Sequence, residues 1–255
     1  MDQVLAGKVA IVTGAGGRPN GIGAAYAAAL AGAGANVVVA DIDGDGASAV
    51  SKSIVKVGRQ SVAVQVDITS ETSVEAMVAA AISTYGGVDI LVNNAALMAE
   101  LSPSKSLIDY PLDEWQRVLD VNLTGALRCC RTVVPVMRKR GGGKIINQSS
   151  GGAFVPSSAY AISKLAIVGL TSALARQLGP DNINVNAIAP GLVESDAGLQ
   201  LIPKGAPSRS RFTTFMRQSG SPQDLCGALL LLASPAGEWI TGQTLNIDGG
   251  WIVRV

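Results

Sequence analysis

Tyr160 and Lys164 stand four residues apart, ten residues after Ser150 and downstream of Asn122. On a helix that spacing places a phenol and an ammonium on one face. A cation beside a phenol favours the phenolate and draws its pKa down from about 10, toward the working range of a general acid/base. A serine hydroxyl near such a pair can hold a substrate oxygen on which charge develops. One Tyr-x-x-x-Lys in 255 residues also arises on an ordinary helix surface. The pair gains meaning from a glycine-rich turn close to the N-terminus.

The chain contains no histidine. That removes Ser-His-Asp hydrolysis, imidazole proton shuttles and most transition-metal sites, so no metal is expected. Proton chemistry falls to Tyr, Lys, Ser or carboxylates. Cys129 and Cys130 are adjacent and Cys226 is isolated, which reads as reduced, buried thiols and not as a disulfide framework. A formal net charge of +1 offers no basic surface for nucleic acid or for an anionic membrane. No apolar stretch is long enough to span a bilayer. The opening residues Met1–Lys8 lack a signal peptide's basic start and long apolar core, so a cytoplasmic protein is expected.

Hydrophobic periodicity places the elements that must carry these residues. Lys8–Thr13 is a β-branched run feeding into glycines. Gly21–Ala33 is an Ala-rich helix, Asn36–Ala40 a strand ending at Asp41, and a further helix starts near Asp43. Strands follow at Ser61–Val66, Val88–Val92, Lys144–Gln148, Asn182–Ile188 and Thr244–Ile247. Helices are expected from Thr69–Glu71 onward, over Leu112–Arg140 with an interruption near Asn122–Gly125, over Ser157–Leu178, and over Pro222–Ser234. The alternation predicts an α/β fold: a doubly wound, mainly parallel seven-stranded sheet with helices on both faces, a Rossmann fold. Residues 1–255 read as a single dinucleotide-binding and catalytic domain. The least regular part, about residues 192–220, is expected to form a substrate lid.

Gly14, Gly21 and Gly23 lie between the first strand and the first helix. Backbone N–H groups at a helix start can bind a pyrophosphate, and glycine lets the phosphates approach. Asp41 closes the second strand 18 residues past Gly23, close to the separation of about 20 expected for a carboxylate that holds the adenosine ribose. It would repel a 2′-phosphate, so NAD is favoured over NADP. Arg18, inside the glycine loop, argues mildly for NADP, or is a solvated loop cation.

In this order along the chain, Thr13-Gly14…Gly21-Ile22-Gly23, Asp67-Ile68, Asn93-Asn94-Ala95-Ala96, Asn122, Ser150, Tyr160, Lys164 and Pro190-Gly191 make the sequence resemble the single-domain branch of the short-chain dehydrogenase/reductase family. The resemblance covers about Lys8 to Gly250. Three departures stand out. The glycine loop is longer than usual, with Arg18-Pro19-Asn20 as the extension; Ala96 replaces a glycine; and the stretch from Ser150 to Tyr160 is shorter. Strand register decides which of Ser149 and Ser150 faces the substrate, and alignment with the family favours Ser150.

The resemblance implies hydride transfer between NAD(H) and a secondary alcohol or ketone. Tyr160 would be the general acid/base. Lys164 would lower its pKa and bond the nicotinamide ribose, and Ser150 would hold the substrate oxygen. Asn122 would hold a water leading from Lys164 to solvent, or simply cap a helix. The implied cofactor contacts are Gly14, Asn20, Gly21, Ile22, Gly23, Asp41, Ile42, Asp67, Ile68, Asn94, Ala95, Ala96, Tyr160, Lys164, Pro190, Gly191, Val193 and Ser195. For Ser195 an ordinary loop role stands open as well. Residues 96–98, 151–155 and the apolar lid residues Leu199, Leu201, Ile202, Phe212, Phe215 and Met216 would select a hydrophobic or cyclic substrate; Lys204, Arg209 and Arg211 read as solvated lid charges. The family's tetramers imply a homotetramer built on residues 112–140 and 157–178, with Ala161, Ala166 and Gly169 allowing close approach, and the run Trp251–Val255 buried against another subunit. An NADP-dependent 3-oxoacyl-thioester reductase and a non-catalytic nucleotide sensor are the competing readings.

Overall fold

A computed structural model describes residues 3–17, 20–98, 106–199, 214–216 and 220–253. The expectations for Arg18, Pro19, Leu201, Ile202, Lys204, Arg209, Arg211, Phe212, Arg254 and Val255 lie outside the described residues.

Seven strands form one sheet in the order β3-β2-β1-β4-β5-β6-β7: β1 Val9–Thr13, β2 Asn36–Asp41, β3 Ser61–Gln65, β4 Ile90–Asn93, β5 Gly143–Gln148, β6 Ile183–Pro190 and β7 Thr244–Ile247. Every pairing between them is parallel. The apolar runs are continuous because both faces are covered. In β1, Ala10 and Val12 point to one core, and Val9 and Ile11 to the other. The first core packs under α1 Ile22–Gly32, α2 Gly44–Lys56 and α8 Cys226–Ala233. The second packs under α3 Glu71–Tyr85, α5 Ala126–Lys139 and α6 Ala159–Leu178. Cys129 and Cys130 are free thiols within this second core, and burial pushes both up to about 12.

Local chemistry sets the helix starts. Asp43 accepts from Gly46 N at α2, Ser70 from Ser73 N at α3, and Ser158 from Ala161 N at α6. The long helical stretch after residue 112 is three pieces: α4 Leu112–Leu119, a π-helical stretch Asp120–Gly125, and α5. The expected interruption is thus a local widening of the helix and not a break, a feature that recurs at functional sites. The last expected helix opens as a 3₁₀ turn, Pro222–Leu225, before α8, with Ser221 and Asp224 forming a capping box.

The order of the strands reverses between β1 and β4, so the connections leave in opposite directions and a crevice opens at the strands' carboxyl ends. A buried polar chain braces the floor of that crevice. Asn93 Nδ2 donates to Asn147 Oδ1 at 2.9 Å, Asn147 Nδ2 to Thr171 Oγ1 at 3.0 Å, and Thr171 Oγ1 to the Ile167 carbonyl at 2.8 Å. The chain ties β4 to β5 and β5 to α6 at residues with at most 6% exposure. Asn147→Ala removes both of its side-chain bonds from the interior and leaves a void. It is expected to cost roughly 2–4 kcal/mol and to lower Tm by roughly 5–10 °C. A thermal melt with a shift under about 2 °C would show that the network does not brace the sheet.

Candidate active site

The crevice is lined by tightly packed glycine backbone. Gly14, at the end of β1, has φ +66°, and a Cβ there would lie 2.5 Å from Ala95 Cα. A Cβ on Gly23 would lie 2.3 Å from the Gly14 carbonyl, and one on Gly16 would lie 2.3 Å from Ala47 N. Both glycines are therefore required by packing as well as by access. Gly46 closes the Gly16 contact from the other side, its Cβ position falling 2.3 Å from the Gly16 carbonyl. Neither Gly16 nor Gly46 was expected from the sequence, because the contact joins residues distant in the chain.

Asp41 is 8% exposed and works on this loop. Its Oδ2 accepts Gly16 N at 2.8 Å and Gly17 N at 3.1 Å, and its Oδ1 accepts Asp43 N at 3.0 Å. Asn94 holds the other flank, its Nδ2 donating to the Thr13 and Gly14 carbonyls at 3.1 and 2.8 Å. Thr13 Oγ1, from the residue that opens the glycine motif, receives Asn94 N and Ala95 N. Gly21 is the N-cap of α1 with no side-chain cap, and the first turn of that helix carries no acidic residue. The helix start thus keeps its favourable potential for an anion. Asp67 Oδ1 accepts from the main-chain N and the hydroxyl of Thr69, which hold its carboxyl below the ordinary range. Ile68 is 7% exposed and fills the space that a Gly125 side chain would need. Ile42, by contrast, lies open at 66% exposure. A narrow cradle of small residues, an uncapped helix start and a carboxylate at the tip of β2 fit a dinucleotide with its pyrophosphate at α1.

Ser158, Tyr160 and Lys164 enter on the first turns of α6. Lys164 Nζ lies 5.6 Å from the Tyr160 ring centroid and donates to the Gln148 carbonyl at 2.8 Å. Tyr160 shares a hydrogen bond with Ser150, whose Oγ also accepts Gly152 N. Ser149 turns the other way, donating to the Lys164 carbonyl at 2.9 Å. Register therefore assigns Ser150 to the crevice and Ser149 to helix anchoring. Asn122, in the π-helical stretch, is 2% exposed. Its amide accepts Leu97 N at 2.8 Å and donates to the Leu97 carbonyl and to Ser163 Oγ. Ser163 Oγ in turn donates to the Tyr160 carbonyl. Asn122's side chain thus clamps the strand-end segment after β4 and the start of α6 to each other.

Burial pushes the Tyr160 phenol up to about 12, and the Ser150 hydrogen bond only partly opposes this. Burial also brings the Lys164 ammonium down to about 7, because a buried amine with only a carbonyl for a partner holds its charge less readily.

On the far side, Pro190 ends β6, and a Cβ on Gly191 would lie 2.7 Å from Asp248 Cβ. Val193 is 5% exposed and Ser195 4%, and Ser195 Oγ accepts Gly198 N at 3.0 Å, at the start of the short α7 Asp196–Leu199. The six-membered ring of Trp251 lies over Gly151, 2.7 Å from where a Cβ would stand, next to Ser150 in its own chain.

A nucleotide cradle at the sheet's switch point, with Ser150, Tyr160 and Lys164 converging beside it, defines an oxidoreductase of the short-chain dehydrogenase/reductase family, and the chain belongs to that family. The family model described as enoyl-(acyl carrier protein) reductase matches residues 16–252. An uncharacterized oxidoreductase of Mycobacterium tuberculosis is 47% identical over 247 residues, covering 97% of this chain and 98% of that protein. The 7α-hydroxysteroid dehydrogenase of Escherichia coli is 39% identical over 251 residues, covering 97% and 95%. A solved 7α-hydroxysteroid dehydrogenase in complex with NADH and 7-oxo glycochenodeoxycholic acid superimposes with a TM-score of 0.88 at 38% identity, covering 99% of this chain and 97% of that one.

The buried amine makes a test. Lys164 falls from 10.5 to about 7 on folding. The folded state therefore binds fewer protons than the unfolded state between those values, and stability rises with pH across that window. Below about 7 the full desolvation cost is present. Lys164→Met removes this cost at the loss of one bond to the Gln148 carbonyl. The variant should melt roughly 5 °C above wild type at pH 7, with the gap narrowing toward pH 9.5. A gap that stays constant or widens with pH contradicts the burial of a neutral amine.

Proposed function

We propose that the protein is an NAD(H)-dependent dehydrogenase/reductase acting on a hydrophobic, alicyclic secondary alcohol or its ketone. The observation that carries this reading is the hydrogen-bonded Ser150–Tyr160 hydroxyl pair with Lys164 buried beside it. The dinucleotide, held by Gly14, Gly21–Gly23 and Asp41, supplies or accepts the hydride. Ser150 holds the substrate oxygen, and Tyr160 Oη gives it a proton in reduction or takes one in oxidation. Lys164 bonds the ribose hydroxyls and, once protonated there, favours the phenolate. Asn122 keeps the crevice wall in place through Leu97, which leaves its main chain to hold a proton-relaying water.

Support for NAD comes from Asp41, a buried carboxylate at the tip of β2 whose charge opposes a 2′-phosphate. The same charge weighs against an NADP-dependent 3-oxoacyl-thioester reductase. Support for a bulky apolar substrate comes from Val155, Phe215, Met216 and Leu199, which are 46–77% exposed on segments that flank the site. The E. coli relative's steroid substrate class fits that surface. For a homotetramer, α6 presents Leu165 and Gly169 outward, with nothing within 4 Å of a Cβ at Gly169. Ala161 is only 5% exposed within its own chain and is not available for such packing.

Tyr160→Phe should reduce turnover of any accepted ketone by at least about 10³-fold while the NADH Kd, read by fluorescence, stays within about twofold. Normal ketone reduction by this variant would remove Tyr160 from the chemistry. For wild type, the phenol's high pKa predicts that alcohol oxidation accelerates from pH 7 toward pH 10, whereas ketone reduction, which needs the protonated phenol, does not. An oxidation profile that falls across that range would contradict the assignment.

A further inference from the structure

The lengthened glycine loop ends at Asn20, and Asn20 reaches across the crevice. Its main-chain N donates to Asp196 Oδ2 at 3.1 Å, its Nδ2 donates to the Glu194 carbonyl at 3.0 Å, and its carbonyl accepts Asp196 N at 3.4 Å. These bonds join residues 174 and 176 apart in sequence. The bond to the Glu194 carbonyl turns the Asn20 side chain toward the Ser195 segment, while its neighbour Gly21 caps the helix that faces the pyrophosphate.

The residues Asn20 holds lie on both sides of Ser195. That segment is already framed from behind: Glu194 N donates to the Gly220 carbonyl at 2.8 Å, Ser195 N to the Val193 carbonyl at 2.7 Å, and Gly198 N to Ser195 Oγ at 3.0 Å. A Cβ on Gly198 would lie 1.9 Å from the Val193 carbonyl, so the turn is closed tightly on itself. What Asn20 adds is a fixed position of this turn relative to the phosphate loop.

We propose that Asn20 is a positioning residue that locks the turn around Ser195 to the glycine loop, so that the nicotinamide end of the cofactor site is set by that loop. The proposal rests on the dinucleotide reading given above and predicts a signature that a phosphate contact would not produce. Asn20 acts through the turn that faces the nicotinamide. Its loss therefore weakens binding of the whole dinucleotide and spares ADP-ribose, which lacks that ring.

The test is calorimetric titration of the full chain with NADH and with ADP-ribose. NADPH and its nicotinamide-free counterpart replace them if NADPH binds the wild type more tightly. Asn20→Ala is expected to raise the dinucleotide Kd about three- to tenfold and to leave that of ADP-ribose within about twofold. Asn20→Asp, which turns an acceptor toward the Glu194 carbonyl, should do the same or more. Asp196→Ala removes a different bond of the same lock, the one from the Asn20 main-chain N, so it should give a loss of the same kind and weaken the dinucleotide further when added to Asn20→Ala. Circular dichroism and the Tm establish that each variant is folded. Equal weakening of both ligands would make Asn20 a phosphate contact and overturn the proposal, as would no weakening of either. A wild type that binds neither ligand would instead remove the dinucleotide reading itself, and the proposal with it.

Discussion

The burial of the Lys164 side chain constrains everything around it. An amine taken out of water needs either a counter-charge or a dense set of acceptors. Here it has the Gln148 carbonyl at the last residue of β5 and the face of a phenol. The result is a pair in which each group is driven toward its neutral form, the phenol up and the amine down. Such a pair responds strongly to a single further charge, because the amine is buried and the phenol only partly open. A positive charge brought alongside favours the phenolate; a negative one favours the ammonium. The groups that fix the geometry are themselves buried: Ser149 on the Lys164 carbonyl, Ser163 under Tyr160, and Tyr26 donating to Gln148 Oε1 at 2.9 Å. The cost of holding an unpaired amine is thereby offset by the sheet and helices around it, as expected where strain is kept at a reactive site.

At the other end of the crevice, the carboxylate proposed to select the cofactor also builds the loop. Asp41 accepts three main-chain N–H groups, two of them from Gly16 and Gly17. A carboxylate has about four lone-pair positions, so one direction remains for a ribose hydroxyl. Substituting Asp41 to admit a 2′-phosphate would therefore also release the glycine loop. Cofactor preference and loop geometry are not separable here, and a change of preference would require new donors for that turn as well as a new cation.

The strands, their parallel arrangement and the shared helix face of Tyr160 and Lys164 were legible in the sequence, because parallel strands buried on both faces read as unbroken apolar runs and the i, i+4 spacing fixes a helix face. The Asn122 interruption was legible as an irregularity, though its π-helical form was not, since composition does not distinguish a widened turn from a break. Asn20's partners lie more than 170 residues away, and no local pattern encodes them. The contact of Gly16 with Gly46 is hidden for the same reason. The lowered pKa of Lys164 was invisible because it depends on burial: sequence shows that a cation and a phenol are neighbours, not that the cation has lost its water.

The C-terminal turn shows how far the site depends on distant chain. Asp248 accepts from Gly250 N and Ile252 N at 3.0 Å and from Asn246 Nδ2 at 3.1 Å, which folds the residues after β7 back toward β5. The Gly249 carbonyl receives Phe215 N and Met216 N at 2.8 and 3.0 Å. The same turn lays Trp251 over Gly151, where no side chain larger than hydrogen fits beside the indole. Gly151 immediately follows Ser150, so the indole limits how far the serine turn can move. Bulk at the C-terminus and its absence at Gly151 are one packing solution. Trp251 thus has a role within the chain: it backs the turn that follows Ser150.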